Sequence, residues 1–342
     1  MSRPVNRQWL LARRPEGLVS VDDFKLAESA VAEPGEGEVL VRNLYLSCDP
    51  TQRGWMAGDT YLPAVKIGEV MRAFAVGEVA ASRHPAFKPG QVVQGAFGWQ
   101  EWALARPGSA SSPTLVPPGV PIETSMSALG LTGITAYFGL LEVGRPKPGE
   151  TVVVSGAAGA TGSVAVQIAR IGGCRVVGIA GGPAKCEYLT KELGVDAAID
   201  YRSPDVAKAL RAACPRGIDV FFDNVGGPVL DIVLAQLALR GRIVVCGGIS
   251  QYNATAPAPG PANYLALVVK RARMEGFLVL DYLSRSAEAV TALAGWLRDG
   301  RLKDRVDVAD GIENAPGALL RVFEGRNQGK QLVRVGRPGV SA

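Results

Sequence analysis

The chain has 342 residues and a formal charge of +5, with 47% hydrophobic and 20% charged side chains, 42 Gly, five Cys and one His. That length suggests about two domains, and the balance of residue types is that of a globular protein with buried cores. A single imidazole excludes multi-histidine metal sites, and a Ser-His-Asp triad would have to use His84. His84 lies in Ser82-Arg83-His84-Pro85, a polar segment that reads as an exposed turn without a catalytic role. The cysteines Cys48, Cys174, Cys186, Cys214 and Cys246 have no C-x-x-C spacing, which removes a zinc lobe and a thioredoxin-like pair. An odd, scattered set fits a reducing compartment. The basic clusters at Arg13-Arg14, at Lys270-Arg271-Ala272-Arg273 and over 298–305 are short, and Asp299 and Asp304 break the last, so they read as solvated faces. Residues 1–15 hold no apolar signal-like core and no run of about 18 apolar residues occurs, so we expect a soluble cytoplasmic protein with no nucleic-acid or membrane partner.

In chain order, residues 1–125 are short β-rich pieces between turn signals. Residues 37–42 alternate, 70–79 are strand-like, and 88–93 are a turn entering a strand. A loop-rich exit follows over 109–119, and a mainly β partial barrel fits this spacing. From about Ser125 the rhythm changes to strand–helix–strand. Buried strands are expected at 151–155, 175–180, 197–201, 219–223, 242–246 and 276–280, with helices at 162–171, 185–193 and 228–237. Six strands alternating with helices imply an α/β fold with a doubly wound parallel sheet of Rossmann type. The tail has a helical stretch over 315–323 and an alternating strand over 331–335 that can return to the first domain. The expected division is a β-rich catalytic domain, 1–125 completed by 303–342, and a dinucleotide-binding domain, 126–302.

The sharpest motif is Ser155-Gly156-Ala157-Ala158-Gly159-Ala160-Thr161-Gly162, which joins an apolar strand to a helix. Glycines there let backbone N–H groups approach a pyrophosphate that the helix N-terminus stabilises. An NAD site presents Asp or Glu at the end of the second strand for the ribose 2′-hydroxyl. Between Gly162 and Cys186 there is no acidic residue, and the second strand ends Gly181-Gly182-Pro183-Ala184-Lys185. The glycines leave room for a 2′-phosphate and Lys185 supplies its counter-charge, which favours NADP. The fourth and fifth strands end Asp223-Asn224-Val225-Gly226-Gly227 and Cys246-Gly247-Gly248-Ile249-Ser250, at the carboxyl edge where such sheets bind ligands. Asn224 can serve there as a ribose or nicotinamide ligand, or simply as a turn residue.

These residues resemble the zinc-independent medium-chain dehydrogenase/reductases, in the prostaglandin reductase, alkenal double-bond reductase and curcumin reductase branch. The likeness is carried by residues 46–56 around Cys48-Asp49-Pro50, by Gly133-Ile134-Thr135-Ala136-Tyr137, by the 156–162 loop, by 222–227, by 246–253, by Arg273-Met274-Glu275-Gly276-Phe277 and by 325–330. The resemblance implies a GroES-like first domain, a homodimer, and NADPH-dependent reduction of a C=C bond conjugated to a carbonyl. It also implies that Gly159, Ala160, Thr161 and Gly162 hold the pyrophosphate and that Lys185 and Tyr201 surround the 2′-phosphate. Asn224, Cys246, Gly247, Gly248, Ile249, Ser250 and Tyr252, with Phe277, Leu278 and Val279, would line the nicotinamide side, and Asn327 would also touch the cofactor. Two departures are Gln52, where relatives often have Met, and the pair Gly181-Gly182, where many carry Ser.

Hydride addition to the β-carbon of an enone builds charge on the carbonyl oxygen, so a donor aimed there lowers the barrier. With no zinc-ligand set, a tyrosine hydroxyl is the best remaining donor, and Tyr252 and Tyr61 both match active-site tyrosines of the family. Two other functions compete: reduction of quinones by NADPH, and non-catalytic NADPH binding. A short-chain dehydrogenase is rejected, because Tyr61 with Lys66 and Tyr188 with Lys191 lack the Tyr-x-x-x-Lys spacing.

Overall fold

The computed structural model describes residues 4–338 and divides into two compact units. One holds the chain up to Met126, Val306–Asn327 and the residues from Gln331 on; the other holds Ser127–Arg305 and Gln328–Lys330.

In the first unit, β1 (Val5–Leu11) and β2 (Phe24–Ala30) form an antiparallel pair. The strands β3 (Val39–Ser47), β4 (Ala75–Ser82), β5 (Val92–Gly95), β6 (Trp102–Ala105) and β7 (Thr114–Leu115) belong to a seven-stranded sheet. Apolar side chains on the inner faces meet in a core that includes Trp9, Leu11, Trp55, Met71, Phe97 and Trp99. Each buried indole finds an acceptor where its ring enters this core: Trp99 Nε1 donates to Ser47 O at 3.1 Å and Trp9 Nε1 to Ile312 O at 2.7 Å. The strand expected over 70–79 begins only at Ala75, because the preceding residues turn their backbone to β1 instead, with Met71 N–H on Trp9 O. His84 is half-buried, not exposed as expected: its ring tilts against Phe87 and its Nδ1 accepts from Ala86 N–H at 3.2 Å.

Arg53, on the short helix Gln52–Ala57, is buried and without an ion pair among the described residues. Its guanidinium donates to the Pro15 and Gly17 carbonyls at 3.1–3.3 Å, and burial holds its pKa below the usual arginine value.

In the second unit, β8 (Thr151–Ser155), β9 (Arg175–Ala180), β10 (Ala197–Asp200), β11 (Ile218–Asp223), β12 (Leu237–Val245) and β13 (Arg273–Gly276) form a parallel sheet in the order β10-β9-β8-β11-β12-β13. This is the doubly wound order expected, with β8 and β11 adjacent where the winding reverses. Burial on both faces explains the near-continuous apolar strands, such as β8, where every residue is buried. One face packs against the helices Val206–Ala213 and Gly227–Leu234 through Val153, Phe221, Leu210, Val233 and Leu234.

Several boundaries differ from the sequence reading, three of them in ways that change an element. The sixth strand lies at Arg273–Gly276, and Val279–Arg285 is a 3-10 helix; all four residues of this edge strand are exposed, so its polar face hid it. The helix expected over 228–237 stops at Leu234, and Leu237 already begins β12. The helix expected over 185–193 is an α-helical turn, Pro183–Glu187, that widens into a π-helix, Tyr188–Glu192. The chain then returns to the first unit's sheet as β14 (Val306–Asp310) and β15 (Lys330–Arg334), where β15 pairs with β3, and the helix Ala315–Phe323 lies between them. Among the described residues no helix is long and apolar enough to cross a membrane.

Where the winding reverses, a buried staple joins the two central strands. Register places Val154 beside Phe222, so the next residues, Ser155 and Asp223, adjoin. Ser155 Oγ donates to Asp223 Oδ1 at 2.7 Å and accepts from Asn224 N–H at 2.9 Å. Asp223 Oδ1 also accepts from Val225 and Gly226 N–H, each at 3.0 Å. Burial raises the pKa of this carboxylate, and those three donors offset only part of the effect.

Two stability predictions follow from these buried polar groups. Arg53→Ala leaves the Pro15 and Gly17 carbonyls without their donors, and urea unfolding should show a loss of about 2–3 kcal/mol. Ser155→Ala removes one donor from a buried carboxylate and should cost about 1.5–3 kcal/mol in the same measurement; a loss under about 0.5 kcal/mol would mean that the staple carries no weight.

Candidate active site

The loop after β8 is shaped by positions that admit no side chain. Gly156 has φ +59°, and a Cβ on Gly162 would fall 2.3 Å from Gly156 O, so the first turn of the helix Ala160–Ile171 can lie against the loop only with glycine there. No side chain caps that helix and no acidic residue lies in its first turn, so its N-terminal donors and positive dipole end suit an anion. Gly329 N–H donates to Ala158 O at 3.1 Å, which ties the segment Gln328–Lys330 to the same loop. Asn327, buried, precedes this segment and is grouped with the other unit.

At the ends of β9 and β10, a Cβ on Gly181 would come within 2.8–3.0 Å of the Tyr201 ring and hydroxyl, so Tyr201 lies across a bare backbone. Tyr201 N–H donates to Ala180 O, and Asp200 Oδ1 accepts from Gly182 N–H at 2.9 Å and Arg202 N–H at 3.0 Å. These bonds hold Asp200 below the usual carboxylate range, aided by the nearby Arg202 charge. Lys185 stands in the short helix that begins at Pro183, directly after β9. Lys185 and Tyr201 therefore come from the ends of neighbouring parallel strands.

At the ends of β11 and β12 the two glycine-rich turns are laced together. Ile249 N–H donates to Asn224 O at 3.2 Å, and Ser250 Oγ to Val225 O at 2.6 Å. Asn224 Nδ2 donates to Ser155 O at 2.7 Å, so its side chain is fixed by the backbone of β8; its turn and ligand roles are compatible. Tyr252 returns over this turn, its hydroxyl accepting from Gly248 N–H at 3.2 Å. Asp223, Cys246, Gly247, Gly248, Tyr252, Pro259 and Pro261 border a cavity of about 470 Å³. Desolvation pushes the Cys246 thiol up to about 12, with the Asp223 charge adding to it, so at neutral pH this group is a neutral thiol and a poor nucleophile. Phe277 sits edge-on to Phe222 and closes against Gly139, where a Cβ would meet the ring at 2.3 Å. Leu278 and Val279 follow it out of β13 into the 3-10 helix.

Tyr61 belongs to the other unit. Its exposed hydroxyl lies 2.7 Å from Thr51 Oγ1 and its ring stands edge-on to Trp55. Among the described residues no group of three His, Cys, Asp or Glu side chains could hold a metal. Sequence reading missed Ser155 and Asp223 as the residues that position Asn224, and Arg202 beside Tyr201. Strand register is what brings Ser155 beside Asp223.

The chain matches two family descriptions, "N-terminal domain of oxidoreductase" over residues 7–112 and "Zinc-binding dehydrogenase" over residues 160–295. It is 42% identical to the NADPH-dependent curcumin reductase of Escherichia coli, over 96% of this chain and 97% of that protein. It is 39% identical to the NADP(+)-dependent 2-alkenal reductase of Nicotiana tabacum, over 97% and 98%. The crystal structure of CurA from Vibrio vulnificus in complex with NADPH superimposes with a TM-score of 0.92 at 40% identity, covering 97% of this chain and all of that one. With relatives this similar along nearly its whole length, the chain belongs to the medium-chain dehydrogenase/reductase family, in the branch of the curcumin, alkenal and prostaglandin reductases.

Proposed function

We propose that this protein is an NADPH-dependent reductase of the C=C bond of α,β-unsaturated ketones and aldehydes. The observation that carries the reading is the end of β9, where Gly181, Lys185 and Tyr201 stand in place of the carboxylate that would bind a ribose 2′-hydroxyl. The cradle at Gly156 and Gly162, which a single Cβ would fill, suits a pyrophosphate. The names of the relatives support the same cofactor and substrate class.

In this reading Gly159, Ala160, Thr161 and Gly162 hold the pyrophosphate. Lys185 and Tyr201 flank the 2′-phosphate. Asn224, the turn from Cys246 to Ser250, Tyr252, and Phe277, Leu278 and Val279 line the nicotinamide end, and Asn327 adds a further contact. NADPH supplies the hydride that adds to the β-carbon. As negative charge then develops on the carbonyl oxygen, Tyr252 donates a hydrogen bond to it, with Tyr61 the second candidate for that role. No metal is required in this scheme, and solvent delivers the α-carbon proton. Residues up to 125 with the returning tail form the catalytic domain, and the second unit is the cofactor domain. The five cysteines, free in the structure, fit a cytoplasmic protein. The exposed edge strand β13, with Val268 and Val269 each at least 70% exposed on the preceding helix, supports a homodimer built on that face.

NADPH oxidation assayed with a 2-alkenal, a cyclic enone and a benzoquinone tests the substrate class. We expect turnover of the alkenal and the enone; turnover of the quinone alone would make the protein a quinone reductase, and cofactor binding without any turnover would make it a non-catalytic binder. Tyr252→Phe should lower kcat about 10- to 1,000-fold by analogy with a lost oxyanion donor. An unchanged kcat would move the role to Tyr61.

A further inference from the structure

We infer that Arg202 is a second cation for the cofactor's 2′-phosphate and a specificity-determining residue of this site. The inference rests on reading the end of β9 as an NADPH site and names a group that the motif comparison did not supply.

Arg202 follows Tyr201 directly after β10, the strand that pairs with β9. Its Cζ lies 5.9 Å from the Tyr201 ring centroid, within reach of a cation–π contact. Its Nη1 stands 3.6 Å from where a Cβ of Gly182 would be, so the guanidinium leans back over the turn that leads to Lys185. Three features shape the backbone around it. Gly181 has no side chain, so Tyr201 can close over the backbone and carry its neighbour with it. Gly182 has φ +89°, a conformation that any other residue would adopt only with strain. Asp200 accepts from the backbone N–H groups of both Gly182 and Arg202, so it fixes the two turns relative to each other.

The guanidinium itself is exposed, and among the described residues no carboxylate forms an ion pair with it. An arginine with this freedom, stacked on a tyrosine beside a lysine and bare glycine backbone, can meet a phosphate monoester with two parallel N–H bonds, which a lysine cannot do.

Calorimetric titration of the cofactor-free protein tests this, with 2′,5′-ADP as the probe and 5′-AMP as the control lacking the 2′-phosphate. Arg202→Ala should weaken 2′,5′-ADP about 5- to 50-fold and flatten the salt dependence of its binding, while 5′-AMP changes less than twofold. Arg202→Lys should restore part of the loss, since it keeps the charge but not the fork. Because Arg202 is exposed, the melting temperature should not move, so a weakened probe reports the site and not the fold. Binding of 2′,5′-ADP by Arg202→Ala within twofold of the parent overturns the role of Arg202 while leaving the NADPH reading intact. A parent protein that binds 2′,5′-ADP no more tightly than 5′-AMP overturns both.

Discussion

The second unit depends on one buried carboxylate. Asp223 lies at the carboxyl end of the strand beside β8, where the winding of the sheet reverses, and it is 1% exposed. A charge there is tolerable only while it is surrounded by donors. Ser155 and two backbone N–H groups meet one oxygen, and the other has no partner among the described residues. Those bonds do more than offset desolvation. They set the turn that carries Asn224, and Asn224 in turn holds the start of the glycine loop and accepts the backbone of the loop after β12. Three loop segments at this edge of the sheet are thus referred to a single fixed point, the rigidity that the proposed hydride transfer would need.

The same edge of the sheet separates two kinds of electrostatics. At the β9 and β10 ends, the half-buried Gly181 and Lys185 and the exposed Arg202 suit a phosphate. At the β11 and β12 ends, desolvation raises the Cys246 thiol to about 12. A tyrosine hydroxyl at that end can polarise a bound carbonyl by hydrogen bonding, which agrees with the proposed hydride addition to a conjugated alkene.

Much of this was legible in the sequence because it is written locally. Residues 175–180 and 151–155 show continuous apolar runs between turn signals, and the structure places strands there to the residue. The glycine loop was readable because strand, loop and helix follow one another within 20 residues. What stayed hidden depends on neighbours that are distant in sequence. Arg202 becomes a ligand candidate only when β10 is laid beside β9, and Ser155 meets Asp223 only through the register of β8 and β11. The edge strand β13 was misplaced because Arg273, Met274, Glu275 and Gly276 are all exposed and carry none of the apolar signature of a parallel strand. Leu237 read as the end of a helix although it is buried as the first residue of a strand, since a single apolar residue satisfies either period.

In the proposed reaction, hydride goes from the cofactor to the β-carbon of an enone. Its most direct measurement uses NADPH deuterated at C4, each epimer in turn, with a cyclic enone, and locates the label in the product by NMR. We expect a saturated ketone labelled at the β-carbon, from one epimer only. An allylic alcohol labelled at the carbonyl carbon, or a saturated ketone with no label at the β-carbon from either epimer, would contradict it.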